Sequence, residues 1–98
     1  MKGKAAAQKP TGYGYTPEDP IKVGGGIRGE REYLQRLRGP KGQQLRFERR
    51  GSYSGPPPGG GLLDVYELTY DGLEKPVMIF LDMYRSEDPR APAGFLLD

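Results

Sequence analysis

The sequence predicts a small single-domain α+β fold, in which one helix packs on a three- to four-stranded, mainly antiparallel sheet. Two segments of alternating apolar residues, Leu62–Asp71 and Pro76–Tyr84, flank a short turn-like sequence. A third alternating segment and one amphipathic stretch precede them. Sequential strands with short connections tend to pair antiparallel, so the helix is expected to lie across one face of a meander.

The helix is predicted over about Glu30–Arg38, and Gly39-Pro40 supplies its stop signal. The spacing of the apolar residues places one stripe on a single helix face. The members of this stripe are Ile27, Tyr33, Leu34 and Leu37. We expect Leu34 and Leu37 to pack on Leu45, Phe47 and one face of the segment 77–83.

Three segments besides Leu62–Asp71 are predicted to be strands. Gln43–Arg50 alternates apolar and polar residues, which is typical of a half-buried strand. Ile21–Val23 is a very short edge strand that ends in glycines. Pro76–Tyr84 has apolar residues on both faces, which predicts a central strand covered on both sides.

The predicted domain occupies residues 13–98, after a disordered leader of residues 1–12 that lacks hydrophobic periodicity. Residues 51–61 are predicted to be an exposed Pro/Gly loop, because Pro56-Pro57-Pro58 cannot join a hydrogen-bonded ladder. Gly and Pro number 16 and 10 of the 98 residues, and only 35% of residues are hydrophobic. The core is therefore expected to be small.

Composition excludes several classes of site. The chain has no Cys and no His, which excludes disulfides, Cys/His zinc sites, cysteine nucleophiles and Ser-His-Asp triads. Its acidic residues lack calcium-loop spacing, so neither a metal nor a cofactor is expected. No apolar run approaches the roughly 18 residues of a membrane span.

Charge is unevenly placed along the chain. Residues 22–50 hold nine Lys/Arg against three Glu, and residues 51–98 hold three Lys/Arg against eight Asp/Glu. The basic half resembles the mixture of arginine and aromatic residues that binds nucleic acid. Ion pairs with the acidic half are the favoured interpretation, and nucleic acid is the less favoured partner. The candidate interaction residues here are Arg28, Arg31, Arg46, Arg49, Arg50 and Tyr53.

Four carboxylates lie on or beside the predicted strands, namely Asp64, Glu67, Asp71 and Asp82. A carboxylate pair can perform acid/base catalysis. The favoured interpretation is that they pair with the arginines of residues 46–50, so no catalytic residue is assigned.

The segment Gly24–Gly29 precedes the helix and invites comparison with a phosphate-binding loop. It lacks both the βαβ context of a dinucleotide fingerprint and the Gly-Lys-Ser/Thr ending of a P-loop. A connector is the favoured interpretation, and a small anion-binding or enzymatic domain stays an alternative.

The C-terminal cluster Phe95, Leu96 and Leu97 is too apolar to favour solvent. Docking on a second copy would bury it, and a meander leaves two open edges that could pair. Folding back on the chain's own core is the alternative. These three residues complete the candidate interaction set.

Much of the chain resembles a group of small uncharacterised bacterial proteins, whose members sometimes carry the label 2-dehydro-3-deoxyphosphooctonate aldolase. The matching segments are Gly12–Gly26, Glu32–Leu34, Leu37–Pro40, Gly51–Ser52, Gly61–Glu67, Tyr70–Val77, Asp82–Tyr84 and Ala91–Phe95. Many members resemble exported proteins, which implies an extracytoplasmic location, and many have two adjacent cysteines where this chain has Tyr53-Ser54. A thiol-based function is therefore excluded here.

The aldolase label conflicts with the size of the chain. That chemistry belongs to a (β/α)₈ barrel of about 250 residues, and this chain has 98. The sequence therefore predicts a non-enzymatic interaction or structural module that binds a protein partner or self-assembles.

Overall fold

The computed structural model describes residues 12–55 and 61–98. Its elements in chain order are β1 (Ile21–Lys22), α1 (Gly26–Arg36), β2 (Leu37–Arg38), β3 (Arg46–Ser54), β4 (Leu62–Thr69), β5 (Val77–Asp82) and β6 (Leu96–Leu97). Strands β3, β4 and β5 form an antiparallel meander, and β1 adds in parallel to β5, giving the order β1-β5-β4-β3. Strands β2 and β6 form a separate antiparallel pair. The predicted α+β class is confirmed.

Two predictions fall largely outside the described ranges. The leader prediction concerns residues 1–12, of which the structure describes residue 12 alone. The triproline lies between the described ranges. Within those ranges, α1 is neither long nor apolar enough to cross a membrane.

Glycine determines where helix α1 begins. Gly24, Gly25 and Gly26 have φ values of 65°, 70° and 68°, which other residues rarely adopt. A Cβ atom on Gly29 would lie 1.8 Å from the carbonyl oxygen of Gly24. These glycines reverse the chain after β1 and start the helix at Gly26, four residues before the predicted start.

The helix also ends earlier than predicted. Leu37 has an extended backbone, and Leu37–Arg38 pair with Leu96–Leu97 of the C-terminal segment. The last two residues of the predicted helix therefore form a strand, because Leu96–Leu97, which are distant in sequence, provide them with an antiparallel pairing partner. Sequence periodicity cannot detect such a partner.

Strand β3 is displaced from its predicted position at Gln43–Arg50. It begins at Arg46 and continues to Ser54, four residues into the predicted loop 51–61. Its ladder with β4 shifts register between Arg49 and Gly51, which leaves Arg50 as a bulge. The strand extends because the first residues of β4 supply hydrogen-bond partners for Gly51–Ser54.

The core lies between α1 and one face of the sheet. Leu34 and Leu37 join Leu68, Ile79 and Leu81 in one cluster, and each of the five is at most 1% exposed. The predicted packing of the helix on β5 is therefore confirmed, and Leu45 packs against the cluster from the side.

Phe47 is the exception to the predicted packing, because its side chain is 36% exposed. It lies on the edge strand β3, where its ring and the Tyr66 ring form an edge-to-face pair with centroids 6.3 Å apart. Likewise Ile27 is 61% exposed, so it does not belong to the buried stripe. The buried helix positions are Glu30, Tyr33 and Leu34.

The opposite face of the sheet is partly open in the described structure. Met78 on β5 is 44% exposed, and Tyr53 on β3 is 45% exposed with its ring against Phe80. The prediction that β5 is covered on both sides is wrong for Met78. The described chain has one helix, and that helix occupies the other face.

The C-terminal segment folds back on the chain's own core. Phe95 is 9% exposed and packs edge-on against Tyr70, with ring centroids 5.7 Å apart. The hydroxyl of Tyr33 donates a hydrogen bond of 2.6 Å to the carbonyl oxygen of Arg90. The tail therefore cannot dock Phe95 on a second copy without leaving its own core.

Replacing Leu34 with alanine should lower the free energy of unfolding by about 2–5 kcal/mol, because it removes buried methyl groups and leaves a cavity. The exposed neighbour Gln35 provides the control, and Gln35→Ala should change stability by less than about 0.5 kcal/mol. Urea unfolding measures both. Equal losses at the two positions would contradict the packing of α1.

Phe95→Ala should cost about 3–5 kcal/mol, whereas Leu96→Ala should have a small effect because Leu96 is 51% exposed. Thermal unfolding at several protein concentrations checks this. A Phe95 variant as stable as the parent would show that the tail is not part of the core.

Candidate functional site

A cleft of about 690 Å³ opens between helix α1 and the helix-facing side of β3 and β4. The residues that line it come from four parts of the chain that are distant in sequence. Helix α1 contributes Ile27, Glu30, Arg31 and Gln35; β3 contributes Phe47, Glu48, Arg49 and Ser52; β4 contributes Leu62, Asp64 and Tyr66; and Met83 and Tyr84 follow β5.

The rim of the cleft is apolar and exposed. Seven large apolar side chains are exposed in the described ranges, and four of them line this cleft. They are Ile27, Phe47, Leu62 and Tyr84. Clustered exposed apolar side chains mark interaction surfaces, whereas single ones need no explanation.

The floor of the cleft is polar and buried. Glu30 of α1 is 1% exposed, and Asp64 and Tyr66 of β4 are each 7% exposed. Asp64 and Tyr66 are two residues apart on one strand and so point to the same face, toward the helix. Glu30 meets them because it lies one turn before Leu34 on the buried stripe of α1. We call Glu30 and Asp64 the carboxyl pair.

Hydrogen bonds fix both carboxyl groups in place. The hydroxyl of Tyr66 donates to Oε1 of Glu30 at 3.2 Å. Nη2 of Arg49 donates to Oδ1 of Asp64 at 2.9 Å and to Oγ of Ser52 at 2.8 Å. Oε2 of Glu30 is buried and receives no hydrogen bond within the described residues. One acceptor on the floor therefore lacks a donor.

A proton on Glu30 compensates for the missing hydrogen-bond donor. Burial, together with the hydrogen bond and charge of Asp64, raises the pKa of Glu30 from its ordinary 4.5 to about 8. Tyr66 and Arg49 act in the opposite direction but more weakly. At neutral pH Glu30 is thus mainly a neutral acid that shares its proton with Asp64, while Arg49 balances the charge of Asp64.

The floor therefore contains two carboxyl groups and one guanidinium. Such an arrangement favours retention of one proton on the carboxyl pair. In the parts of the chain that the structure describes, no three acidic side chains lie close enough together to hold a metal ion.

Of the predicted arginine candidates, two line the cleft, namely Arg31 and Arg49. The other three are paired with acids of the chain: Arg28 with Glu32 at 3.4 Å, Arg46 with Asp71 at 3.3 Å, and Arg50 with Glu48 and Glu67, each at 3.3 Å. These pairs reduce the positive field that a phosphate backbone would meet. They support the ion-pair interpretation over nucleic-acid binding.

The remaining acidic candidate, Asp82, has a structural role. It is 3% exposed, and its Oδ1 accepts hydrogen bonds from the backbone N–H groups of Tyr84 at 2.8 Å and Arg85 at 3.1 Å. It therefore shapes the turn after β5. Among the four candidate carboxylates, Asp64 is the one that lines the cleft.

Three backbone N–H groups of the glycine segment 24–29 are already hydrogen-bonded to carbonyl oxygens of the protein. The N–H of Gly24 bonds to the carbonyl oxygen of Asp82 at 3.3 Å, and that of Gly26 bonds to the carbonyl oxygen of Met83 at 3.1 Å. The N–H of Gly29 bonds within the segment, to Gly25, at 3.1 Å. These bonds support the connector interpretation.

The other four candidates lie elsewhere. Tyr53 is on the opposite face of the sheet, against Phe80. Phe95 belongs to the core, and Leu97 packs against it. Leu96 is exposed on β6, which pairs with β2. The structure thus does not gather the predicted interaction residues into one surface.

Glu30 and Tyr66 are site residues that sequence reasoning did not propose. The signal for Glu30 was present, since it lies three and four residues before Tyr33 and Leu34, on their side of the helix. A charged residue at such a position is buried only when something compensates it.

Comparison with known proteins gives no match: no family model, curated protein or solved structure matches the chain. The resemblance to small bacterial proteins therefore stays a prediction.

The stability of the protein relative to its Glu30→Gln variant should fall as pH rises between 4.5 and about 8. In this range the folded state retains a proton that the unfolded state has released, so the free energy of unfolding decreases with pH. The slope is at most about 1.4 kcal/mol per pH unit. Urea unfolding at a series of pH values measures it.

Glu32→Gln is the matched control, because Glu32 lies on the same helix and its side chain is 66% exposed. Its stability curve should run parallel to that of the parent. Parallel curves for the parent and Glu30→Gln would show that Glu30 titrates normally.

Proposed function

We propose that this protein is a non-enzymatic binding module and that it recognises a segment of a partner protein in the cleft between α1 and strands β3 and β4. The observation that carries the proposal is the coincidence of two features. The cleft gathers four of the seven exposed large apolar side chains of the described ranges, and its floor holds the polar side chains of the carboxyl pair and Tyr66. Apolar walls with a few convergent polar groups are typical of binding sites.

Apolar contact at the rim requires no chemical change in these groups, whereas hydrolysis would require an activated nucleophile. Ser52 is the aliphatic hydroxyl in the lining, and its Oγ accepts a hydrogen bond from Arg49. Arginine stays protonated and cannot act as a base toward it. These observations favour binding over catalysis.

A separate partner is favoured over a second copy of the chain. Phe95 is already buried in its own core, so the tail no longer supplies a contact between copies. The edge strand β3 carries Arg46, Glu48 and Arg49 and has a bulge at Arg50. Charges and bulges are devices that oppose pairing between sheet edges. Self-assembly stays a prediction that sedimentation can test.

Selection of a random-peptide phage library on the immobilised protein tests the proposal. Peptides should be enriched, and Leu62→Ser should weaken their binding about tenfold or more, because it removes apolar area from the rim. Met78→Ser is the matched control: Met78 is 44% exposed and Leu62 is 52% exposed, but Met78 lies on the opposite face.

The control should bind the selected peptides as the parent does. Failure to enrich any peptide would overturn the proposal. So would peptides that lose binding through Met78→Ser and keep it with Leu62→Ser, since these would place recognition on the open face of the sheet.

A further inference from the structure

Arg31 differs from the other arginines in the described parts of the chain. Each of the others contacts an acidic side chain or a backbone oxygen of the protein, except Arg90, whose guanidinium carbon lies 4.1 Å from the ring centroid of Tyr13. Among the described residues Arg31 forms no such contact, and it is exposed on helix α1. The fold therefore leaves the guanidinium of Arg31 available to a ligand.

Arg31 belongs to a row of exposed residues on the helix wall of the cleft. Ile27, Arg31 and Gln35 follow one another at intervals of four residues, so they lie on one side of α1. All three line the cleft. This wall therefore places a cation between an apolar side chain and an amide, which is a surface that an acidic residue with an apolar neighbour would complement.

The wall formed by β3 contains a second arginine, Arg49, which uses one of its guanidinium nitrogens within the protein. Its Nη2 donates to Oδ1 of Asp64 at 2.9 Å and to Oγ of Ser52 at 2.8 Å. Its Nε and Nη1 donate to no described residue, and the side chain is 51% exposed. An anion between the two walls would therefore meet arginine donors on both sides.

The acidic groups of the lining are already compensated. Glu48 and Asp64 each form an ion pair with an arginine of β3, at 3.3 Å and 2.9 Å. Glu30 is 1% exposed, and burial raises its pKa to about 8, so this group is mainly neutral at pH 7. Within the described lining, Arg31 therefore supplies the one charge that has no compensating neighbour, and that charge is positive.

We propose that the cleft selects an acidic residue of the partner protein, an aspartate or glutamate whose carboxylate accepts hydrogen bonds from the guanidinium of Arg31. This inference rests on the proposed function and names the chemistry of its ligand. Apolar neighbours of the acidic residue would lie against Ile27, Phe47 and Leu62 at the rim. Arg49 on the β3 wall adds attraction through its remaining donors.

Arginine suits this role because its planar guanidinium binds a carboxylate through two parallel hydrogen bonds. A bound partner that covers the apolar rim displaces water around the charges, which strengthens their attraction relative to a pair on an open surface. Charge complementarity of this kind determines which partner is accepted more than how tightly the apolar surface binds. The two arginines thus give the cleft a means of selection in addition to apolar contact.

Affinity should therefore depend on the negative charge of the ligand. Replacing the acidic residue of a bound peptide with its amide should weaken binding about three- to tenfold at low salt, because the shape is kept and the charge is lost. The difference should shrink as NaCl is raised from about 20 mM to about 500 mM, since dissolved ions screen charges that are exposed to solvent.

The test uses the peptides that the random-peptide phage library yields and that lose binding to Leu62→Ser. These peptides should contain aspartate or glutamate near an apolar residue. Each peptide is synthesised with acetylated and amidated ends, together with a twin in which asparagine or glutamine replaces the acidic residue, so that the side-chain charge is the one difference. Isothermal titration calorimetry with the full chain at pH 7 measures both affinities.

Two arginine variants locate the effect. Arg31→Gln should abolish the preference for the acidic peptide over its twin. Arg28→Gln should preserve that preference, because Arg28 is on the same helix but is 89% exposed, pairs with Glu32 and does not line the cleft. Both variants lose one positive charge, so a general effect of net charge would change both equally. The comparison of the two peptides on the parent protein needs no variant, so it is decisive even if Arg31→Gln fails to fold.

Equal affinities for a peptide and its amide twin would overturn the inference, as would Leu62-dependent peptides that contain no acidic residue. Both results would leave the proposed function intact. Loss of the preference in both arginine variants, or in neither, would also overturn it, because recognition would then not depend on Arg31 in particular. Failure to enrich any peptide would remove both the inference and the proposed function.

Discussion

The position of helix α1 over the sheet is the constraint on which the rest of this structure depends. Three consecutive glycines with positive φ reverse the chain after β1, and Gly29 allows the first helical turn to lie against the carbonyl oxygen of Gly24. The helix therefore turns one face, which includes Glu30 and Leu34, toward the sheet. This contact brings Tyr33 and Leu34 of the helix into the core cluster with Leu68, Ile79 and Leu81 of the sheet.

The same placement creates the cleft and its acidic floor. The leucines of the helix stripe meet Ile79 and Leu81, but Glu30 meets Asp64 and Tyr66. Burying a carboxylate in this way is unfavourable unless its charge is neutralised or satisfied. Here a proton shared with Asp64 neutralises the charge of Glu30, and the hydroxyl of Tyr66 donates a hydrogen bond to it. The charge of Asp64 is balanced by its ion pair with Arg49. The consequence is a buried carboxyl pair that retains a proton, beneath the exposed apolar rim of the cleft.

Local sequence patterns predicted the elements, and contacts distant in sequence determined where they end. Alternation identified β4 and β5, and the spacing of Leu34 and Leu37 identified the face of α1 that packs. The pairing of Leu37–Arg38 with the C-terminal segment was not predictable, because two residues carry no periodicity. The extension of β3 through Ser54 depends on partners in β4 that composition does not reveal.

The candidate site was predictable only in part. Asp64 was a candidate because it is a carboxylate on a predicted strand. The expectation that the arginines of residues 46–50 pair with acids of the chain was correct for Arg46, Arg49 and Arg50. Glu30 was placed in the first turn of the predicted helix, where an acidic residue is ordinary. The helix begins earlier, at Gly26, so Glu30 lies one turn inside it. Its spacing of three and four residues from Tyr33 and Leu34 places it on the buried face.

The central claim is that Glu30 retains a proton on the floor of the cleft near neutral pH. The most direct measurement is an NMR titration of the side-chain carboxyl carbon of Glu30 in the folded protein, with Glu32 followed in the same spectra. The account predicts that the Glu30 carbon titrates with a midpoint near pH 8, far above the ordinary pKa of 4.5. A midpoint close to 4.5 would contradict it, because the carboxyl pair would then share no proton at neutral pH.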